Sequence, residues 1–271
     1  MMQRIDPGYL YELGDGVRAI RPYRFKTSAD YEIWEALNRS KQAVTVFLNG
    51  SVFSQSIRGV HSLANQFLQE SDKILSLISV EQTTSIAPAT LVELFEAYDR
   101  FEPAFANALS SQITYLVMPK GAYDVETLVE NGGSLFPASL QYKVPEASMD
   151  IVEGAKALAF ELWSAAAFHF HRANEAVLRR YFDKTVGPNK RKEHATMGML
   201  LSEMEKQNKG TRQVVVALQN IKTFHRNPNA HPGDFISDAD EAFSLVSALR
   251  AAMGYMLDEL EATSLDDMMH V

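Results

Sequence analysis

From Ser28 onward, apolar residues return every three or four positions, the spacing of a helix that buries one face. In "ADYEIWEALNRSKQAVTVFL" they are Tyr31, Trp34, Leu37, Ala43 and Phe47. "SVFSQSIRGVHSLANQFLQESDKILSLI" repeats the spacing with Val52, Ile57, Val60, Leu63, Phe67, Ile74 and Leu77. A third helix is expected in "TLVELFEAYDRFEPAFANAL", bent where Pro103 removes a backbone donor. "AIRPYRF" and "ITYLVMP" are the two candidate strands.

Between Lys120 and Ala147 the periodicity is lost. An Asn-Gly-Gly turn signal and Pro119, Pro137 and Pro145 punctuate the stretch, which sets a domain boundary there. Residues 1–147 then form a mainly helical amino-terminal region that includes an irregular linker, 120–147, and residues 148–271 form the second domain. That second domain opens with a predicted helix of about 35 residues, roughly 50 Å long, from a candidate N-cap at Ser148 to just before Gly187 and Pro188. Its stripe runs Ile151, Ala155, Leu158, Leu162, Ala166, Ala173, Val177 and Tyr181. Three shorter helices follow, within 194–207, 211–226 and 237–262, the last capped by Ser237 or Asp238. The fold class expected is mainly α: a carboxy-terminal up-and-down helical bundle after a helical region with at most a minor β element.

Composition narrows the chemistry. The 271 residues are 46% hydrophobic, enough for a sizeable core. No apolar run approaches the roughly 20 residues that span a bilayer, and the first residues lack a signal-peptide layout, so a cytoplasmic protein with no membrane partner is expected. The chain has no cysteine, which excludes disulfides, thiolate nucleophiles and sulfur-ligated zinc. A net charge of -8 argues against a whole surface that binds nucleic acid as a polyelectrolyte. The charge is uneven, however: Lys184, Lys190, Arg191, Lys192, Lys206, Lys209, Arg212, Lys222 and Arg226 fall in one segment, and acids collect after it. That segment is either a solvated basic face or a local anion-binding surface.

The stretch "KTFHRNPNAHPGDF" holds the sharpest chemical signal. Pro228 and Pro232 push Asn227 and His231 away from helical angles, so the helix before them must end close to Arg226. A stiffened corner that holds a guanidinium beside an imidazole suits attack on a phosphate. Arginine offers a fixed fork of donors for phosphate oxygens, and histidine moves a proton near neutral pH.

Arg226, Asn227 and His231, as "RNPNAH" between two bundle helices, resemble the Arg-x4-6-His signature of the HEPN superfamily, with its polar residue directly after the arginine. The helix "GAKALAFELWSAAAFHFHRANEAVLRRYFD" is similar to the first helix of such domains. The likeness covers about Ser148 to Ala262 and leaves the amino-terminal part unexplained. It implies a metal-independent endoribonuclease, without cofactor, in a toxin or antiviral system, and a homodimer in which two motifs face one cleft. It also implies RNA as partner and, in a toxin setting, a cognate inhibitor protein. Cleavage without metal uses the 2′-hydroxyl as nucleophile, which DNA lacks. One histidine does not easily serve both sides of the phosphate, a physical reason for two copies.

His231 is then the acid/base, Arg226 the phosphate clamp and Asn227 an orienter. His225, Lys222, Arg172 and Glu175 are candidate substrate-side residues, the last two either a simple helix pair or a support for Arg226. One alternative is a non-catalytic helical module in which the same cationic turn binds a nucleotide or a partner protein; another is purely structural, with Arg226 capping helix carbonyls and paired to Asp234 and His231 a packed loop residue. His169 and His171 point about 200° apart on a helix and do not chelate one metal.

Overall fold

The computed structural model describes residues 5–26, 31–78, 88–224 and 235–262. Among them the chain is mainly α, with eleven α-helices, short 3-10 turns and no strand. It divides into two compact units after Tyr115.

The first unit packs four helices: α1 (Pro7–Arg18), α2 (Tyr31–Gly50), α3 (His61–Leu77) and α4 (Pro88–Ser110). Helix α1 precedes the region where helical periodicity was expected. Its start is nevertheless written in "DPGYL", because Asp6 accepts from the Gly8 N–H at 2.9 Å and Pro7 occupies the first turn. The expected strand at 19–25 is instead a turn and a 3-10 segment, Arg21–Tyr23. The other, at 113–119, is neither helix nor strand. An apolar run has no ladder to join where no second strand is offered.

Helix α2 buries Ile33, Leu37, Ser40, Val44 and Phe47, while Tyr31 and Trp34, expected inside, stack on each other at its edge at 5.9 Å. Residues 51–60, expected as the first turns of the next helix, are turns and a 3-10 segment, so α3 starts only at His61. Helix α4 runs through Pro103. The core is aromatic: Phe67 stacks on Phe101 at 5.6 Å, and Phe105 meets Phe47 edge-on at 4.9 Å.

The second unit comprises α5 (Val125–Glu130), α6 (Leu140–Lys143), α7 (Ser148–Ala159), α8 (Trp163–Thr185), α9 (Met197–Lys206), α10 (Arg212–Phe224) and α11 (Ala239–Glu259). Residues 120–147 belong to this unit: Leu128, Leu135, Phe136, Leu140 and Val144 are buried in one core with α7 to α11. The stretch looks irregular in sequence because its apolar residues serve short helices and 3-10 turns with no sustained period.

The expected 35-residue helix is two helices. It reverses at 160–162, where Leu162 N–H bonds Ala157 C=O at 2.9 Å and Glu161 N–H bonds Leu158 C=O at 3.2 Å. That is a Schellman stop with Glu161 at φ 61 in the position glycine usually takes. The Glu161 carboxylate accepts from Lys120 Nζ at 2.6 Å, and Lys120 is buried. The stripe through Leu158, Leu162 and Ala166 therefore does not continue; Leu162 is exposed, and α7 folds back antiparallel along α8. Gly154 makes that contact possible, since a Cβ there would lie 2.5 Å from the Phe170 ring. Ser148 is not the N-cap: α7 continues from a 3-10 turn, Pro145–Ala147, with no side-chain cap.

Asn174 of α8 meets Met197 at the start of α9, and Tyr181 meets Met204 and Gly210 at its end. Helix α9 thus runs in the same direction as α8, a departure from up-and-down alternation, before α10 reverses. Helix α11 starts with Asp238 as its cap, accepting from Glu241 N–H at 2.9 Å, and packs on both α8 and α10. No helix among the described residues is long and apolar enough to cross a membrane.

Candidate functional site

Arg226, Asn227, His231, His225 and Asp234 lie outside the described residues. Their described flanks are informative. Helix α10 is described as far as Phe224, with Ile221 buried and Lys222 exposed in its last described turn. The chain is described again from Phe235, and Ile236 is buried, its N–H donating to Ser164 Oγ at 3.0 Å. Both flanks are thus tied into the second unit: α10 by its own buried face, and Ile236 by the first turn of α8. Phe224 and Phe235 are both exposed.

The basic segment does not gather there. Thr211 N–H donates to Tyr181 Oη at 3.0 Å, which puts the α9–α10 link, with Lys206, Lys209 and Arg212, beside the far end of α8. Seventeen residues of helix separate Ser164 from Tyr181, about 25 Å at 1.5 Å each. Lys184 is used locally, donating to the Glu259 carbonyl, and Arg191 is held by Asp183 at 2.9 and 3.0 Å. That bond raises the Arg191 guanidinium pKa further above its usual value. Of the cations in the segment, Lys222 is the described one near the α10–α11 connection.

Arg172 and Glu175 do not form the simple pair that their spacing allows. Arg172 Nε is 3.3 Å from Asp150 of α7, with its guanidinium over the Phe168 ring, and Glu175 accepts from Arg179 at 2.5 Å. Together with the Arg180–Glu146 and Arg191–Asp183 pairs they line a groove of about 410 Å³ on the outer face of α8. Each arginine there has a carboxylate partner, so the groove offers an anion no uncompensated cation. The two histidines face as their spacing requires. His169 is half-buried on the outer side, Nδ1 2.8 Å from Asp150, and His171 is buried on the inner side near Asn174. No cluster of three metal-ligating side chains occurs among the described residues.

A second depression, of about 460 Å³, lies between α10 and α11, the two helices that the candidate segment joins. Its apolar lining is Ala217, Ala248, Ala251 and the exposed Val216, and its polar lining is Arg212, Gln213 and Asn220, with Tyr255 beside them. Arg212 makes no ion pair among the described residues. Charge counting along the sequence finds Arg212 but not its neighbours, because Gln213, Asn220 and Tyr255 come together only when α10 and α11 pack.

Comparison of the chain with protein-family models, with curated proteins and with solved structures finds no match.

Proposed function

We propose that this protein is a metal-independent endoribonuclease of HEPN type. In the proposed reaction the ribose 2′-oxygen attacks the adjacent phosphorus as the phosphorus–5′-oxygen bond breaks, leaving a 2′,3′-cyclic phosphate and a 5′-hydroxyl. One His231 accepts the 2′-hydroxyl proton. A second His231, from another copy of the chain, donates a proton to the departing 5′-oxygen. Arg226 holds the phosphate oxygens as negative charge builds on them, and Asn227 orients the group. Two copies are required by this proton balance, and a cognate inhibitor protein fits a toxin or antiviral setting.

The observation that carries the reading is the position of the motif in the fold. Helix α10 is described as far as Phe224, two residues before Arg226, and α11, which packs against it, starts at Ala239. In chain order the "RNPNAH" stretch therefore falls between two packed helices of an α-helical unit, which supports the reading. Arg172 and Glu175, engaged with Asp150 and Arg179, supply the scaffold of α8 rather than the reaction.

Labelled RNA incubated in EDTA with wild type, Arg226→Ala and His231→Ala tests it. Wild type should cleave, and each variant should lose about 100-fold or more in rate. Equal rates for the three proteins would discard these roles. RNA affinity without cleavage, present in wild type and His231→Ala but lost in Arg226→Ala, would favour a binding module, which needs the positive charge but not the imidazole.

A further inference from the structure

The depression between α10 and α11 differs from the groove on α8 in the one respect that matters to an anion: among the described residues its cation has no carboxylate partner. Arg212 is exposed at its rim, without an ion pair among the described residues, whereas Arg172, Arg179, Arg180 and Arg191 all have carboxylates. Arg250, also without an ion pair there, stands on the other side of the Ala251–Tyr255 ridge, with Asp258 near it. The net positive charge is therefore on the α10 side.

The remaining lining suits a flat, hydrogen-bonding ring. Tyr255 is 41% exposed beside Ala251, and three alanines leave space next to the one larger aliphatic side chain of the lining, Val216. Gln213 and Asn220 each carry both a donor and an acceptor, the complement of a base edge. A volume of about 460 Å³ is in the range that holds a small aromatic ligand. An apolar helix seated here would cover Arg212, Gln213 and Asn220 without satisfying them, which is costly. Neighbouring nucleotides satisfy all three.

We propose that this cleft binds single-stranded RNA: a base stacks on Tyr255 with Gln213 at its edge, Arg212 takes a phosphate, and Asn220, seven residues and about 10 Å further along α10, takes the edge of a neighbouring nucleotide. The endoribonuclease reading supplies the reaction, but the binding does not depend on it. Asn220 lies four residues before Phe224, the last described residue of α10, about 6 Å along the helix, so a strand that runs through the cleft from Tyr255 past Asn220 leads toward the α10–α11 connection. A duplex keeps its base faces stacked and cannot present one to Tyr255.

The test uses the full chain carrying His231→Ala, which prevents cleavage, and fluorescence anisotropy of a labelled single-stranded ten-nucleotide RNA and of its duplex. The single strand should bind about tenfold or more tightly than the duplex. Tyr255→Ala should weaken it about tenfold and Tyr255→Phe should not, because the ring face is what counts. Arg212→Ala should weaken it and lower the slope of log affinity against log salt by about 0.7. Tyr142→Ala, at an exposed tyrosine elsewhere in the second unit, should change nothing.

Unchanged affinity in Tyr255→Ala, or equal binding of strand and duplex, would overturn the proposal. So would self-association that Tyr255→Ala abolishes in a protein with no affinity for RNA. Tyr255-dependent binding by a wild type that does not cleave would uphold the cleft and remove the nuclease reading. Cleavage with unaltered KM in Tyr255→Ala would do the reverse.

Discussion

The cores of the two units are built on different principles. The first is filled by rings: Phe47, Phe67, Tyr98, Phe101 and Phe105 contact one another and exclude water with bulk. The second brings helices together by omission. Gly154 admits the Phe170 ring, Gly132 admits Ala155, and alanines recur along α7, α8 and α11. Close packing of backbones leaves little room to adjust, so the second unit tolerates added volume poorly, whereas the first suffers most from lost volume. Both admit polar groups to their interiors: hydroxyls in the first, at Ser40 and Ser71, and an imidazole and an amide in the second, at His171 and Asn174.

The chain's two tryptophans separate the contributions, because Trp34 packs on the first core and Trp163 on the second. Replacing either by Phe leaves the other as a reporter of its own unit in a urea titration. The largest effect is expected for Phe67→Ala, which empties the space between Tyr98 and Phe101 and should cost about 3–5 kcal/mol. The Trp34 transition should carry that loss and the Trp163 transition should stay in place; a common shift would mean the units unfold as one.

Gly154→Ala comes next. The added methyl meets the Phe170 ring, and about 1–3 kcal/mol should disappear from the Trp163 transition. Phe170→Leu in the same chain should recover part of it, an outcome that a simple helix-propensity effect of alanine would not give.

The smallest effect is the pH dependence that Tyr98 gives the first core. Burial, with the Glu102 carboxylate adding to it, pushes the Tyr98 hydroxyl up to about 12. An unfolded tyrosine titrates near 10. Between those values the folded chain keeps a proton that the unfolded chain releases, so the contribution is complete below pH 10 and fades as pH rises toward about 12. Tyr98→Phe should flatten the alkaline slope of the Trp34 transition and leave that of Trp163 untouched.

The helical class was legible because three-to-four spacing survives in nearly every long segment. Helices α9, α10 and α11 fall within their expected ranges, and Asp238 caps where its side chain suggested. The reversal at Glu161 was not legible. Neither glycine nor proline marks it, the apolar stripe runs across it, and the Lys120 that holds the Glu161 carboxylate is forty-one residues away. The same distance effect hid the companions of Arg172: its nearest carboxylate in sequence is Glu175, but folding α7 back supplies Asp150. The segment at 120–147 was set apart because short elements carry too few turns to show a period, although Leu128 and Leu135 are completely buried.

The doubling back of α7 has an electrical outcome. By laying Glu146 and Asp150 along the outside of α8, it silences a row of arginines that would otherwise advertise that flank to any polyanion. Among the described residues that flank is then close to neutral, while Arg212 on α10 keeps its charge without a carboxylate beside it.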